Sequence, residues 1–129
     1  MTRRTISSGG HWEPIYGYSR AVVLGDRAFV SGTTDAGPDG RTRHPGDPAG
    51  QARGALEVIE RALESAGFSR RDVVRTRVYI TDRTHADAVG AVHGEFFKDI
   101  RPASAMLVII GLVNPELLVE IEADAVRER

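Results

Sequence analysis

The sequence predicts a single α+β domain, spanning residues 1–129, in which two helices cover one face of a β-sheet. Three observations lead to this prediction. The chain has 129 residues with 41% apolar content, which is ordinary for one domain with one core. Two segments carry apolar residues at helical spacing, and five others have the pattern of strands. The predicted order is β-β-α-β-α-β-β, and two amphipathic helices can cover only one sheet face.

A hairpin opens the predicted fold. The segment AVVLGDRAFVSGT contains two apolar strands, at 18–24 and 27–33, joined by Gly25 and Asp26. Glycine at the first central position of the turn suits the tight hairpin turns that match strand twist.

The first predicted helix has clear start and stop signals. It follows a loop rich in Gly and Pro, residues 37–48. Asp47 is the predicted N-cap, and Pro48 fits the first turn, where its missing N–H costs nothing. Gly67 is a suitable C-terminal stop. One apolar stripe recurs between these signals: Ala52, Leu56, Ile59, Leu63 and Ala66.

The segment 72–81, DVVRTRVYIT, alternates and predicts a strand. Its expected faces are Val74, Thr76, Val78 and Ile80 on one side and Val73, Arg75, Arg77 and Tyr79 on the other. A second helix follows, with Thr84 as its predicted cap and an apolar stripe of Val89, Val92 and Phe96.

Two further strands complete the predicted sheet. They are ASAMLVIIGL at 103–112 and LLVEIEADAV at 117–126, with Asn114 and Pro115 in the turn between them. Because MLVII is apolar on both faces, a monomer would leave a sizeable apolar patch in water. The sequence therefore predicts an oligomer in which uncovered sheet faces turn toward each other.

Composition excludes several classes of function. A net charge of −1 and the lack of a basic stretch with interleaved aromatics argue against a nucleic-acid partner. The chain has no cysteine, which excludes disulfides, thiolate metal sites and a cysteine nucleophile. His11, His44 and His85 have no metal-ligand spacing, so no metal is predicted. No apolar run approaches the roughly 20 residues of a membrane helix and no secretory signal is present, so a cytoplasmic location without a membrane partner is expected.

Six motifs, in order along nearly the whole chain, resemble the Rid family, the YjgF-type reactive-intermediate deaminases. They are GYSRA (17–21), FVSGTT (29–34), VVRTRVYITD (73–82), HGEFF (93–97), RPASAM (101–106) and LVEIEADA (118–125). The resemblance implies a chorismate-mutase-like fold and a homotrimer with ligand clefts between subunits. It also implies hydrolysis of enamines and imines to a ketone and ammonia, with no cofactor.

The sequence departs from the family pattern at Ser104. The family's typical segment is Pro-Ala-Arg-Ser, whose arginine grips the substrate carboxylate with two hydrogen bonds, whereas this chain has Pro-Ala-Ser-Ala at 102–105. A hydroxyl cannot replace that charged fork. Losing such a pair typically costs about 2–5 kcal/mol, so ordinary amino-acid imines are expected to be poor substrates. The chain resembles the subgroups that lack this arginine.

The resemblance implies a catalytic role for Glu120, which would position water, and a cleft lined by Tyr18, Ser31 and Gly32. Each residue also has a structural interpretation: a solvated carboxylate for Glu120, interface packing for Tyr18, and close backbone approach for Gly32. Ser104 either hydrogen-bonds a ligand or satisfies its hydroxyl locally.

Several other side chains are weaker candidates for ligand binding. Arg77, together with Arg75, could restore the missing positive charge, although pairing with carboxylates of a neighbour is the favoured interpretation. Arg20 is a weaker candidate for the same role. The resemblance places His93 near the cleft, where it is either a ligand contact or polar surface. Trp12 is either an aromatic lid or, as favoured, an anchor to the core.

Two functions remain open from the sequence. The first is deaminase-like hydrolysis of enamines or imines in an intersubunit small-molecule cleft. Glu120 would position water, and Ser31 with the Gly32 backbone would hold the polar end of the substrate. The second is a non-catalytic trimer that binds a small molecule. A translation inhibitor or ribonuclease, a function also attached to the family, is disfavoured by the near-neutral charge.

Overall fold

The computed structural model describes residues 2–128, and in that range the chain forms six strands and three α-helices. Their bounds are β1 Arg3–Ile6, α1 Glu13–Tyr16, β2 Ala21–Leu24, β3 Arg27–Thr33, α2 Pro48–Ser65, β4 Val73–Ile80, α3 Ala86–Phe96, β5 Ala103–Val108 and β6 Val119–Val126. Single 3₁₀ turns, Arg70–Asp72 and Arg83–His85, precede β4 and α3.

The strands form one mixed sheet in the order β1-β2-β3-β6-β4-β5. Strands β4 and β5 run parallel, and the other neighbours are antiparallel. The predicted α+β class and mixed sheet are confirmed. The sequence did not predict β1 or α1, and the strand predicted from residue 18 begins at Ala21. It starts late because α1 ends at Gly17, whose φ of 74° turns the chain just before it.

Helix α2 packs on β3, β6 and α3 and covers one sheet face. Its predicted stripe is buried from Ala52 to Ala66. Both boundary signals act as predicted: an Asp47 carboxylate oxygen accepts a hydrogen bond from the Gly50 N–H at 2.9 Å, and Gly67 has a φ of 84°. Local sequence therefore fixes both ends of the helix that forms most of the core.

The Asp47 cap gives a first test of this helix. Asp47→Ala is expected to lower the free energy of unfolding by about 1 kcal/mol, because the Gly50 N–H loses its partner at the helix start. Urea denaturation at one fixed protein concentration measures the change. Asp99→Ala, at an exposed position after α3, is the matched control; equal effects of the two variants would contradict the capping role.

A β-bulge corrects the predicted faces of β4. The pairing of β4 with β6 shifts register between Val73 and Arg75, and a bulge lets two residues on one strand oppose one on the other. Val73 is consequently buried and Val74 is 47% exposed, the reverse of the alternation predicted from the sequence. From Thr76 onward the prediction holds, with Thr76 buried on the helix-covered face.

The predicted cap of the second helix was also wrong. The helix itself has His85 at its N-cap, with no side-chain hydrogen bond. Asp82 caps the preceding 3₁₀ turn, because its carboxylate accepts from the Thr84 N–H at 2.8 Å. Helix α3 then begins at Ala86. Thr84 is thus the partner of a capping side chain, because the Asp82 carboxylate reaches the N–H two residues ahead.

Strand β5 is an edge strand with every residue exposed in the protomer. It ends at Val108, earlier than the predicted 112, and apolar side chains on and beyond it face water: Met106, Leu107, Val108, Ile110 and Val113. Within residues 2–128, no helix packs on the sheet face opposite α2 and α3. An apolar edge of this kind is a ready surface for association.

Candidate functional site

A cavity of about 710 Å³ lies beside β3 and β6, within the size range of small-molecule pockets. Its walls come from the N-terminal segment, β3 and the loop after it, α2 and β6. Six of the candidate residues from the sequence line it: Tyr18, Ser31, Gly32 and Glu120, and the weaker candidates Arg20 and Trp12. The protomer therefore brings the predicted catalytic carboxylate together with Tyr18, Ser31 and Gly32, but not with Ser104, Arg77 or His93.

An irregularity in β3 shapes the cavity wall at Ser31 and Gly32. The pairing of β3 with β6 shifts register between Val30 and Thr33. The Ser31 hydroxyl donates to the Ser19 carbonyl at 2.6 Å, and the Ser31 N–H donates to the Arg20 carbonyl at 2.9 Å. Because its hydrogen is used locally, the Ser31 hydroxyl offers a ligand only its two lone pairs, as an acceptor.

Glu120 lies directly over Gly32. A Cβ atom added to Gly32 would come within 2.5 Å of Glu120 Oε2 and 2.9 Å of Cδ. Only a residue without a side chain leaves room for the carboxylate in this position. The close-approach interpretation of Gly32 thus agrees with a functional one, since the two residues form one structural unit.

Gly32→Ala is expected to push the Glu120 carboxylate aside and to reduce ligand binding and any turnover by tenfold or more, as small misplacements of reacting groups typically do. The fold should survive because the flexible end of Glu120 can move. Amide NMR spectra and a binding titration measure the two effects. Gly94→Ala, where a Cβ would meet nothing within 4 Å, is the control; an unchanged Gly32→Ala protein would contradict the role of this contact.

The environment of Glu120 raises its pKa above the ordinary carboxyl value. Burial is the largest cause and the nearby Glu122 charge adds to it, while Arg20 partly opposes both. Within residues 2–128 no donor forms a hydrogen bond with the Glu120 carboxylate. A carboxyl whose pKa is raised in a cavity is suited to take up and return a proton.

A buried ion pair ties the N-terminal segment to this site. Arg20 Nη2 lies 3.7 Å from Glu13 Oε2, and both side chains are more than nine-tenths buried. Arg20 Nη1 donates to the Gly32 carbonyl at 2.7 Å and to Thr33 Oγ1 at 2.9 Å. From the sequence, Arg20 was a candidate only as a possible replacement for the missing positive charge. Glu13 was not a candidate, because the sequence holds no local signal for it.

Hydrogen bonds from the N-terminal segment stabilise the Glu13 anion. Its carboxylate accepts from the Ser8 hydroxyl at 2.8 Å, the Ser8 N–H at 3.2 Å and the Gly10 N–H at 3.0 Å. Burial by itself would raise the pKa of Glu13, but these hydrogen bonds outweigh it and hold the pKa below its ordinary value. The segment that includes Trp12, which is half-buried and lines the cavity, is thereby fixed against β3.

Ser104 and His93 lie together in a second cluster that does not line the cavity of the same protomer. Ser104 Oγ is 2.8 Å from Thr76 Oγ1, which in turn is 2.7 Å from His93 Nε2. Burial lowers the pKa of His93. Thr76 was not a candidate from the sequence, because its position opposite Ser104 depends on the register of the parallel β4–β5 pair.

Arg77 lies on the sheet face opposite this cluster. Its Nη1 is 3.3 Å from Glu122 Oε1 and 3.5 Å from Asp124 Oδ2. The partners are carboxylates of its own chain, whereas the favoured sequence interpretation expected carboxylates of a neighbour. Arg77 therefore lies away from Ser104, and its contact with a ligand stays a prediction.

Two other kinds of feature, a metal site and a membrane-spanning helix, are absent from the described chain. No group of three or more His, Asp or Glu residues within residues 2–128 is placed to hold a metal ion. In the same range no helix combines the length and apolar character that crossing a membrane requires.

The described chain has a six-stranded mixed sheet, two main helices on one face and a cavity at the β3 irregularity. A sequence profile of the Endoribonuclease L-PSP family, the YjgF family, matches residues 10–127. The chain belongs to this family, as the resemblance of its motifs predicted.

Relatives agree over almost the whole chain. The crystal structure of Rv2704 from Mycobacterium tuberculosis, a member of the YjgF/YER057c/UK114 family, is 46% identical with a TM-score of 0.88 and covers 98% of this chain and 100% of its own. An uncharacterized protein of Streptomyces coelicolor is 37% identical over 124 residues, 96% of this chain and 92% of its own. Escherichia coli TdcF, crystallised with bound serine, is 29% identical with a TM-score of 0.79, covering 97% and 94% respectively.

Proposed function

We propose that this protein binds a small molecule in the Glu120 cavity and hydrolyses an enamine or imine there. The observation that carries the proposal is the Glu120 carboxyl group, which has a raised pKa, no hydrogen-bond donor within the described residues and a fixed place over Gly32. Tyr18 and Ser31 lie on the same cavity wall and would orient the substrate.

In the proposed reaction, Glu120 accepts a proton from water as the water oxygen attacks the carbon of the protonated C=N group. The proton then passes from the Glu120 carboxyl to the nitrogen of the resulting carbinolamine. The C–N bond breaks, ammonia leaves, and the hydroxyl proton passes to the Glu120 carboxylate, which releases it to water as the ketone departs. The raised pKa suits a group that must act first as base and then as acid. Placement supplies the rest, and no cofactor enters the reaction.

The proposal includes a homotrimer. The apolar β5 edge and the uncovered sheet face support association. In the trimer, the Ser104 cluster of one subunit would border the Glu120 cavity of its neighbour and complete the cleft. This arrangement would join the two groups of predicted residues that a single protomer keeps apart.

Non-catalytic binding of a small molecule is the second candidate. It is favoured by Ser104, because the residue that grips the substrate carboxylate in other family members is missing here. The bound serine in E. coli TdcF supports a small-molecule site in both candidates. Ribonuclease activity, despite the family's description, is not proposed, since a net charge of −1 gives no excess of positive charge for a polyanion.

A coupled assay tests the hydrolysis. Oxidases generate two kinds of imine, imino acids from amino acids and uncharged imines from amines or amino-acid amides, and semicarbazide traps those that survive. The protein is expected to lower trapping for a subset of this panel, with imino acids as the poorer substrates. Glu64→Gln, an exposed glutamate on α2 outside the cavity, should behave as the wild type. No effect across the panel, combined with tight binding of a small acid or amide, would favour the non-catalytic candidate.

Ser104→Arg should restore the missing grip on a carboxylate. Activity toward carboxylate-bearing imines is expected to rise at least about tenfold, since such charge-assisted pairs are worth several kcal/mol in closed sites. Ser104→Ala, which adds no charge, should give no increase. If Ser104→Arg folds and changes nothing, the grip does not limit activity here.

A further inference from the structure

The Ser104 cluster is a chain of three hydrogen-bonding groups. The Thr76 hydroxyl is fully buried and stands between Ser104 Oγ at 2.8 Å and His93 Nε2 at 2.7 Å. A hydroxyl has one hydrogen, so Thr76 can donate to only one of these two neighbours. The presence or absence of a hydrogen on His93 Nε2 therefore determines whether Ser104 offers a ligand its hydrogen or only its lone pairs.

The two hydrogen bonds that link these three side chains can run in either direction. When His93 Nε2 carries no hydrogen, Thr76 donates to it and Ser104 donates to Thr76, so Ser104 offers a ligand only lone pairs. When Nε2 carries a hydrogen, both bonds reverse and the Ser104 hydrogen is free for a ligand. A neutral imidazole reaches either state by a change of tautomer, so Ser104 can serve either a donor or an acceptor.

No charged side chain within residues 2–128 forms a hydrogen bond or an ion pair with the side chains of Ser104, Thr76 or His93. Burial is the sole cause that shifts the His93 pKa, and it does so downward, which keeps the ring neutral near neutral pH. The ring packs against Phe97 with centroids 4.8 Å apart. Arg77 lies on the other sheet face with its own carboxylates. The cluster itself offers an enclosed carboxylate no counter-charge, and burying an unpaired charge is costly.

We infer that Ser104, Thr76 and His93 form one recognition unit that selects ligands carrying an uncharged hydrogen-bonding group, such as a carboxamide or ester, in place of a carboxylate. Thr76 and His93 are positioning residues that act through Ser104. The inference rests on the proposed function, because it takes Ser104 to border the ligand cleft. It adds the substrate class: imines or enamines of uncharged carbonyl compounds.

Two probes of equal size test this selectivity, 2-oxobutanamide and 2-oxobutanoate, each followed by amide NMR titration of the intact protein. The amide is expected to bind at least about tenfold more tightly, because a neutral site leaves the carboxylate unpaired. Ser104→Arg should reverse the preference. Thr76→Val, of nearly equal shape, should weaken amide binding at least about fivefold without changing acid binding, and Thr76→Ser should restore it.

The nitrogen chemical shifts of His93 provide a readout that a purely structural role would not move. Amide binding should change the tautomer balance of His93 in the wild type, and Ser104→Ala should abolish this change. If Thr76→Val does not fold, His93→Phe interrupts the same chain from its other end and is expected to give the same loss.

Several results would overturn the inference: equal affinity for both probes, preference for the acid, binding of neither probe, or a Thr76→Val protein with unchanged selectivity. The proposed hydrolysis is tested separately, in the oxidase-coupled assay, which measures imine turnover and uses neither probe. Amide selectivity with no turnover would thus support the recognition unit and reject the hydrolysis. Turnover without amide selectivity would support the hydrolysis and reject the recognition unit.

Discussion

Glu120→Gln is expected to remove most imine turnover and, at the same time, to raise the free energy of unfolding at neutral pH. Glutamine keeps the shape of the side chain but cannot exchange a proton, and general acid–base groups contribute about 10²–10⁴-fold in rate. The oxidase-coupled trapping assay measures the first effect. Urea denaturation between pH 4 and pH 8 measures the second.

The sign of the stability effect follows from the raised pKa of Glu120. Because burial disfavours the ionised form in the folded state, the carboxylate destabilises the fold above its folded-state pKa. That penalty disappears as the pH falls below the unfolded-state pKa, where the group is neutral in both states. Glu120→Gln should therefore stabilise by on the order of 0.5–2 kcal/mol at neutral pH and by almost nothing near pH 4.

Glu64→Gln is the control for both measurements, since Glu64 is exposed on α2 and lies outside the cavity. A Glu120→Gln protein that keeps full turnover would reject the proton-transfer role. A Glu120→Gln protein that loses stability at neutral pH would show that the carboxylate stabilises the fold. It would contradict the interpretation that burial of the ionised carboxylate costs stability.

Arg20→Met is expected to have the largest effect on stability, a loss of about 3–5 kcal/mol, because it leaves the buried Glu13 carboxylate without its counter-charge. The Gly32 carbonyl and the Thr33 hydroxyl also lose a donor. The N-terminal segment should loosen from the cavity wall, with weaker ligand binding as a second consequence. Urea denaturation at fixed protein concentration measures the loss.

The double variant Arg20→Met/Glu13→Gln isolates the interaction, because it removes the unpaired charge as well as its partner. It should recover part of the loss, since residues in direct contact are not additive. In the wild type, the lowered pKa of Glu13 means that its contribution is present above the ordinary value of 4.5 and is lost as the pH falls through the folded-state pKa. A single variant that costs under about 1 kcal/mol, or strict additivity, would contradict the role of the pair.

Elements with local signals could be predicted from the sequence. Helix α2 has its cap at Asp47, its first-turn proline at Pro48 and its positive-φ glycine at Gly67, and all three lie where predicted. Strand β1 has no such signal. Its sequence, RRTI, has no apolar alternation, and its extended form comes from pairing with β2. The bulge that reverses Val73 and Val74 likewise depends on register with β6.

The candidate site divides in the same way. Motifs pointed to Glu120, Ser31, Gly32 and Tyr18, and these four line one cavity. The partners that determine their chemistry could not be found from motifs. Thr76 meets Ser104 across 28 positions through strand register, and the other partner, Glu13, meets Arg20 only after the N-terminal segment folds back. Such contacts are products of packing, and no local pattern encodes them.

The proposed cleft between subunits is tested most directly by paramagnetic relaxation in a mixed assembly. The chain has no cysteine, so Ser104→Cys can carry a single nitroxide label. Labelled subunits are mixed with ¹⁵N-labelled, otherwise unmodified subunits, and only contacts between subunits then broaden amide signals. The cleft predicts broadening at Tyr18 and Gly32 in a particle three times the 14.0 kDa chain mass. A 14.0 kDa particle, or a trimer with those two signals unaffected, would contradict it.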